Sequence, residues 1–143
     1  MKMSFLFAAG AAFLTAVVIA APTTRGPQPM CPVSDQPCDP EVSVEFDGGS
    51  VWFCCEKCEK AFEADSAKFA AKAHQQMVVT RQLVQKGCPL SGRGVKPGTE
   101  LDIGGATVGF CCNNCKGKVA KAGPDEQVTM VFGDIAKGFA PAR

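Results

Sequence analysis

Apolar and polar positions alternate in two stretches of this chain, and each stretch predicts a hairpin. The run Val42-Ser43-Val44-Glu45-Phe46 leads into Asp47-Gly48-Gly49 and then into Val51-Trp52-Phe53-Cys54. Alternation on both sides of an Asp-Gly turn marks two antiparallel strands joined tightly. Leu101-Asp102-Ile103, Gly104-Gly105 and Val108-Gly109-Phe110-Cys111 repeat the arrangement further along. After each hairpin the composition changes. From Glu56 onward Ala, Lys, Glu and Phe dominate, with Phe62 and Phe69 on one face, which predicts a helix to about His74. A second helix is expected from Asn113 to a stop near Gly123-Pro124. The apolar stretches Met77 to Val84 and Val128 to Phe132 follow the two helices and are expected to be strands. Trp52 and the Phe residues are expected in the core.

A shift of 57 residues superimposes the two halves. Cys31-Pro32-Val33-Ser34 then falls on Cys88-Pro89-Leu90-Ser91, and Phe53-Cys54-Cys55-Glu56-Lys57-Cys58 on Phe110-Cys111-Cys112-Asn113-Asn114-Cys115. Between Cys31 and Cys58 ten of 28 positions are identical without a gap, where residue frequencies alone give about two. The chain is a tandem duplication.

The N-terminus carries one cation, Lys2, an apolar run from Phe5 to Ala20, and Val18-Ile19-Ala20 before Ala21-Pro22. That layout predicts a secretory signal peptide over 1–20 and a mature chain starting at Ala21, hence export to the periplasm or the extracellular space. No stable membrane insertion is expected after cleavage, because the run is short for a span. Pro22, Pro27 and Pro29 make 21–30 a linker. The expected units follow as 31–76, a connecting strand at 77–87, 88–133 and a C-terminal tail at 134–143. Fifteen basic side chains oppose fourteen acidic ones in the full chain. Without Lys2 the chain is formally neutral and has no basic run, so nucleic acid is not an expected partner.

The nine cysteines carry the candidate chemistry. Each copy of some 40 residues buries little beyond Val42, Val44, Phe46, Val51, Phe53, Phe62 and Phe69 or their counterparts, too little for a secure fold alone. A thiolate-bound structural zinc supplies about 10–16 kcal/mol of apparent binding energy in small peptides, enough to offset that shortage. Cysteines at a strand end and in a first helical turn are also expected to ionise readily beside the helix N-terminus. Strand alternation places Val51, Phe53 and Cys55 on one side and Trp52 and Cys54 on the other. Cys54 with Cys58 (i, i+4) and Cys55 with Cys58 (i, i+3) can both converge on a helix face, so both members of each adjacent pair stay open. Two other readings compete. An exported chain this rich in Cys suits a disulfide-stabilised interaction module, although five Cys in the first copy and four in the second pair poorly. Cys55-Glu56-Lys57-Cys58 at a helix start also suits a thiol-disulfide oxidoreductase, but no thioredoxin-like frame surrounds it. With one His and no phosphate-cradling loop, binding without turnover is expected. Cys38, matched by Val95 in the second copy, is either a fourth ligand or a small buried residue. His74 is expected at the surface.

In each copy 22 residues separate the first cysteine from the second (Cys31 to Cys54, Cys88 to Cys111) and three separate the second from the third (Cys58, Cys115). That pattern, framed by C-P-x-S, a tight turn, F-C-C-x-x-C and an Ala/Lys helix, resembles the TRASH/YHS family of small heavy-metal-binding domains. The resemblance covers Cys31 to about Phe69 and Cys88 to about Ala122. It implies an α+β chain of two tandem ββα treble-clef-like units and a role in metal trafficking, buffering, resistance or sensing. It favours Cys31, Cys54 and Cys58 in the first copy and Cys88, Cys111 and Cys115 in the second, with Cys55 and Cys112 as alternate thiols. Ser34 and Ser91 stand where a C-x-x-C knuckle has its second Cys. Three thiolates suit Cu(I), or Zn(II) with a further ligand, about one ion per copy. A protein that donates or accepts the metal is the expected partner.

Overall fold

A computed structural model describes residues 28–143; the expected signal peptide and most of the linker lie outside them. The fold is mixed α/β, with four α-helices and three two-stranded antiparallel sheets among the described residues. In the first copy, β1 (Asp39–Phe46) and β2 (Gly49–Phe53) form a hairpin. Its turn residues Asp47 and Gly48 both have positive φ, at 47° and 79°, the backbone that right-twisted strands require of a two-residue turn. In the second copy β4 (Leu101–Ile103) and β5 (Ala106–Val108) pair around Gly104 and Gly105, at φ 56° and 86°.

A pair of helices follows each hairpin. The single helix expected from Glu56 to His74 is two, α1 (Glu56–Ala64) and α2 (Ser66–Val79). Asp65 divides them, and its side chain accepts a hydrogen bond from Lys68 N at 3.3 Å to start α2. The second copy has α3 (Asn113–Ala120) and α4 (Pro124–Phe132). The strand expected at Val128 to Phe132 is therefore helical. Pro124 presets the first turn, Asp125 and Glu126 favour its N-terminus, and Val128, Val131 and Phe132 recur at helical spacing on the buried face. Likewise Met77 to Val79 close α2, whose Ala73, His74, Gln76 and Met77 are buried, and only β3 (Leu83–Gln85) is extended there. The 134–143 segment is also ordered, with a 3-10 turn at Ile135–Lys137 and β6 (Phe139–Pro141).

The two copies share one body. β3 pairs with β6, Leu83 opposite Pro141 and Val84 opposite Ala140. Under the 57-residue shift Leu83 corresponds to Ala140 and Val84 to Pro141, so each pair maps onto the other. The strands meet about a local two-fold axis, as in an isologous dimer interface. α2 packs on α4, and a single buried cluster takes Phe53, Phe62 and Met77 from one copy and Val108, Phe110, Val131 and Phe132 from the other. Trp52 is only half-buried, as are Val42, Val44, Phe46 and Phe69, which pack against the cluster edge. The shortage of core in each copy is thus met in part by the other copy.

Polar contacts tie the halves as well. His74, expected at the surface, is 5% exposed. Its Nε2 lies 2.7 Å from Asp47 Oδ2 in the β1–β2 turn, and its Nδ1 2.9 Å from the Phe132 carbonyl at the end of α4. Both partners are acceptors, so the imidazolium satisfies both contacts and the neutral ring one. Lys72 on α2 reaches Asp35 at 2.8 Å and Asp125 of α4 at 3.5 Å.

Candidate metal centres

Both hairpins deliver a cysteine to the start of a helix. β2 ends at Phe53 and α1 begins at Glu56, so Cys54 and Cys55 form the corner and Cys58 sits in the first helical turn. Cys31 comes from the Cys-Pro turn, where Cys31 N bonds Gln36 O and Asp35 N bonds Cys31 O. In the second copy Cys88 N bonds Arg93 O and Gly92 N bonds Cys88 O, so the same loop shape presents Cys88 to Cys111 and Cys115.

The sulfurs of Cys31, Cys54 and Cys58 all lie within 4.8 Å of one another, and so do those of Cys88, Cys111 and Cys115. Cys54 Sγ is 3.6 Å from Cys58 Sγ, and Cys111 Sγ 3.7 Å from Cys115 Sγ. Thiolates around a tetrahedral ion with metal–sulfur bonds of about 2.3 Å stand ~3.8 Å apart, so these spacings fit one ion per triad. Cys31 and Cys88 are fully buried and the other four triad sulfurs belong to half-buried residues. All nine cysteines are free thiols.

Cys55 and Cys112 stand outside the mutual clusters, each 3.7 Å from the sulfur of its neighbour, Cys54 or Cys111. Both occupy helix N-cap positions with extended backbone, and neither makes a side-chain cap bond. Cys38 is not in the first triad. Its thiol donates to the Trp52 carbonyl at 3.1 Å and accepts from Gln76 Nε2 at 3.3 Å.

Two sets of residues support the triads without belonging to them. The first is Ser34 and Ser91, whose hydroxyls lie 3.2 Å from Cys54 Sγ and Cys111 Sγ. Their position in C-P-x-S, where a knuckle has a Cys, was the available signal. The second is a pair of glutamines. Gln76 of α2 accepts from Trp52 N at 2.8 Å and donates to Trp52 O at 2.8 Å and Met30 O at 2.9 Å. Gln85 of β3 accepts from Gly109 N at 2.9 Å and donates to Gly109 O at 2.6 Å and Gly87 O at 2.9 Å. Under the repeat shift Gly87 matches Met30 and Gly109 matches Trp52. The same backbone groups, one residue before the first cysteine and two before the second, are clamped in both copies by glutamines from unrelated elements. No sequence signal reveals this, because Gln76 corresponds to Gly133.

The thiols do not ionise alike. Burial pushes Cys31 and Cys88 up, but the hydroxyls of Ser34 and Ser91 and nearby backbone N–H groups outweigh it, bringing them to about 7 and about 6. Cys58 and Cys115 are pushed up to about 12, by burial first and then by the adjacent thiols. The expectation that the first-turn cysteines ionise readily therefore fails for these two, because burial disfavours the charged form and the neighbouring thiols oppose a second negative charge. Cys55 and Cys112 are lowered, chiefly by the backbone N–H groups of Cys58 and Cys115. Burial, then the charge at Cys31 and Cys54, raises Cys38 to about 12. An ion entering either triad would displace protons, and its charge would replace theirs.

The chain is thus a small two-copy protein with two three-cysteine clusters, each positioned so that it could hold a metal ion. Comparison of the chain with protein-family models, curated proteins and solved structures gave no match. No helix among the described residues is long and apolar enough to cross a membrane.

Proposed function

We propose that this protein is an exported carrier of soft or borderline heavy-metal ions, of the TRASH/YHS type, which holds one Cu(I) or Zn(II) ion in each copy for trafficking, buffering or resistance. The observation that carries the proposal is the pair of three-cysteine clusters, equivalent under the repeat and compact enough for one ion each. Soft thiolates select such ions over Mg(II) or Ca(II). Cys31, Cys54 and Cys58 are the proposed ligands of the first ion and Cys88, Cys111 and Cys115 those of the second. The treble-clef-like assignment rests on the ββα order of both copies, and the periplasmic or extracellular location on the apolar leader. The protein acts by binding, without turnover, and takes its ion from a donor protein or hands it to an acceptor.

Non-denaturing mass spectrometry of protein purified under reducing, anaerobic conditions tests this reading. Two ions per chain are expected. A metal-free chain with four disulfides and one free thiol would refute it and favour the secreted scaffold; rapid insulin reduction would favour the oxidoreductase.

A further inference from the structure

Cys55 and Cys112 are unexplained by the triads and by helix capping. Each takes an N-cap position, where Ser, Thr, Asp or Asn supplies a cap bond and Cys does not, and neither sulfur makes one. Neither belongs to a mutual three-thiol cluster. Each nevertheless touches one, with sulfur–sulfur distances of 3.7 Å to Cys54 and to Cys111. In the first copy the thiols grade from solvent inward: Cys55 is exposed, Cys54 and Cys58 are half-buried, and Cys31 is buried. The second copy repeats the order less steeply, with Cys112 half-buried and Cys88 buried. Cys54 and Cys111 are the links, each within 4 Å of the outer thiol and of a triad partner.

We propose that Cys55 and Cys112 are exchange ligands, the first protein thiols to take an ion from a thiolate donor and the last to hold it before release to a thiolate acceptor. This rests on the metal-carrier reading above and adds the route and the chemistry of the partner. In capture, Cys55 Sγ bonds to an ion still held by the donor, and the Cys55 proton passes to solvent. Cys54 Sγ then bonds as the donor's last metal–sulfur bond breaks, and the Cys54 proton is given up as the released donor thiolate takes one up. Finally bonds to Cys58 and Cys31, whose remaining protons pass to solvent, replace the bond to Cys55, which is reprotonated and free again. The ion keeps its oxidation state throughout and every electron pair stays on sulfur. A soft anionic sulfur can bridge to an ion already bound by sulfur; a serine hydroxyl at the same place is a poor substitute.

The test is stopped-flow capture of Cd(II) by reduced, metal-free full-length protein, followed by the thiolate-to-cadmium charge-transfer absorption. Cd(II) is presented in one arm as its glutathione complex and in another bound to a short Cys-x-x-Cys peptide. The variant Cys55→Ser/Cys112→Ser is expected to hold two ions per chain at equilibrium with wild-type affinity and unchanged far-UV circular dichroism. Its capture should be slower by about tenfold or more. Slowing in the glutathione arm alone assigns a small-thiol partner, and slowing in the peptide arm alone a protein thiolate. Unchanged rates in both arms overturn the proposal, as does loss of an ion, which would make Cys55 or Cys112 a resident ligand. Wild-type protein that takes up no Cd(II) would overturn the carrier reading itself.

Discussion

Replacing Gln76 by Leu removes a clamp while keeping a buried side chain of similar size. Gln76 is 3% exposed and spans two ligand-bearing segments, bonding Met30 beside Cys31 and Trp52 two residues before Cys54. In Gln76→Leu the Trp52 N–H and the Met30 carbonyl lose their partner, while the Trp52 carbonyl keeps the Cys38 thiol. A buried polar group left unpaired costs about 1–3 kcal/mol, and burial of the leucine side chain returns about 1.5–3 kcal/mol. Two such groups, less the leucine's return, leave a net loss of about 2 kcal/mol, which for a domain of this size lowers the melting temperature by roughly 6–10 °C. The effect on the metal is the sharper readout. Freed from the clamp, Cys31 and Cys54 hold their relative positions less well, and outer-shell losses of this kind weaken metal binding about 10–100-fold. Zn(II) competition titrations against a chromophoric chelator, run beside thermal melts, measure both. Gln76→Leu should weaken one ion of the two, and Gln85→Leu the other. If Gln76→Leu lowered the melting temperature but left both zinc affinities at wild-type values, the clamp would be scaffolding only and its link to the site would be wrong.

Three further outcomes are expected. Cys58→Ser should lose one ion and Cys115→Ser the other in native mass spectra; because the copies share a core, either change should also lower the stability of the whole chain, and loss of both ions from one substitution would mean a single shared cluster. The reduced, metal-free protein should gain stability as pH rises from 6 towards 9 and lose it above that. Cys31 and Cys88, lowered to about 7 and about 6, contribute stability above the unfolded thiol value that is lost as pH falls through their folded values. Cys38, Cys58 and Cys115, raised to about 12, contribute stability below the unfolded value that is lost as pH rises; a thermal-melt series that is flat across this range would contradict the assignment. His74→Ala should destabilise the chain by about 2 kcal/mol, by leaving the Phe132 carbonyl unpaired at the end of α4 and removing the link to Asp47, and hydrogen exchange should show the loss at both α2 and α4.

The features legible in the order of amino acids are local or periodic. The duplication is visible because both copies kept their cysteines at the same spacing. The hairpins are visible because Asp47-Gly48 and Gly104-Gly105 supply positive φ between alternating strands, and the helix starts because composition changes at Glu56 and Asn113. The spacing also narrowed the candidate ligands to four thiols per copy. How these pieces meet depends on the folded chain. It separated Cys54 and Cys111 from their neighbours, since which of two adjacent sulfurs turns inward depends on the bend from strand to helix rather than on strand alternation. It made Val128 to Phe132 a helix, because five apolar-rich residues fit either period until a packing partner exists, here α2. It buried His74 and placed Gln76 and Gln85 on equivalent backbone groups through contacts that, apart from Gln85 with Gly87, lie 24 residues or more apart in the chain. Such contacts leave no spacing to read: a short motif records the backbone conformation of its own residues, whereas a glutamine clamp, a shared core and the β3–β6 pairing depend on where the rest of the chain returns.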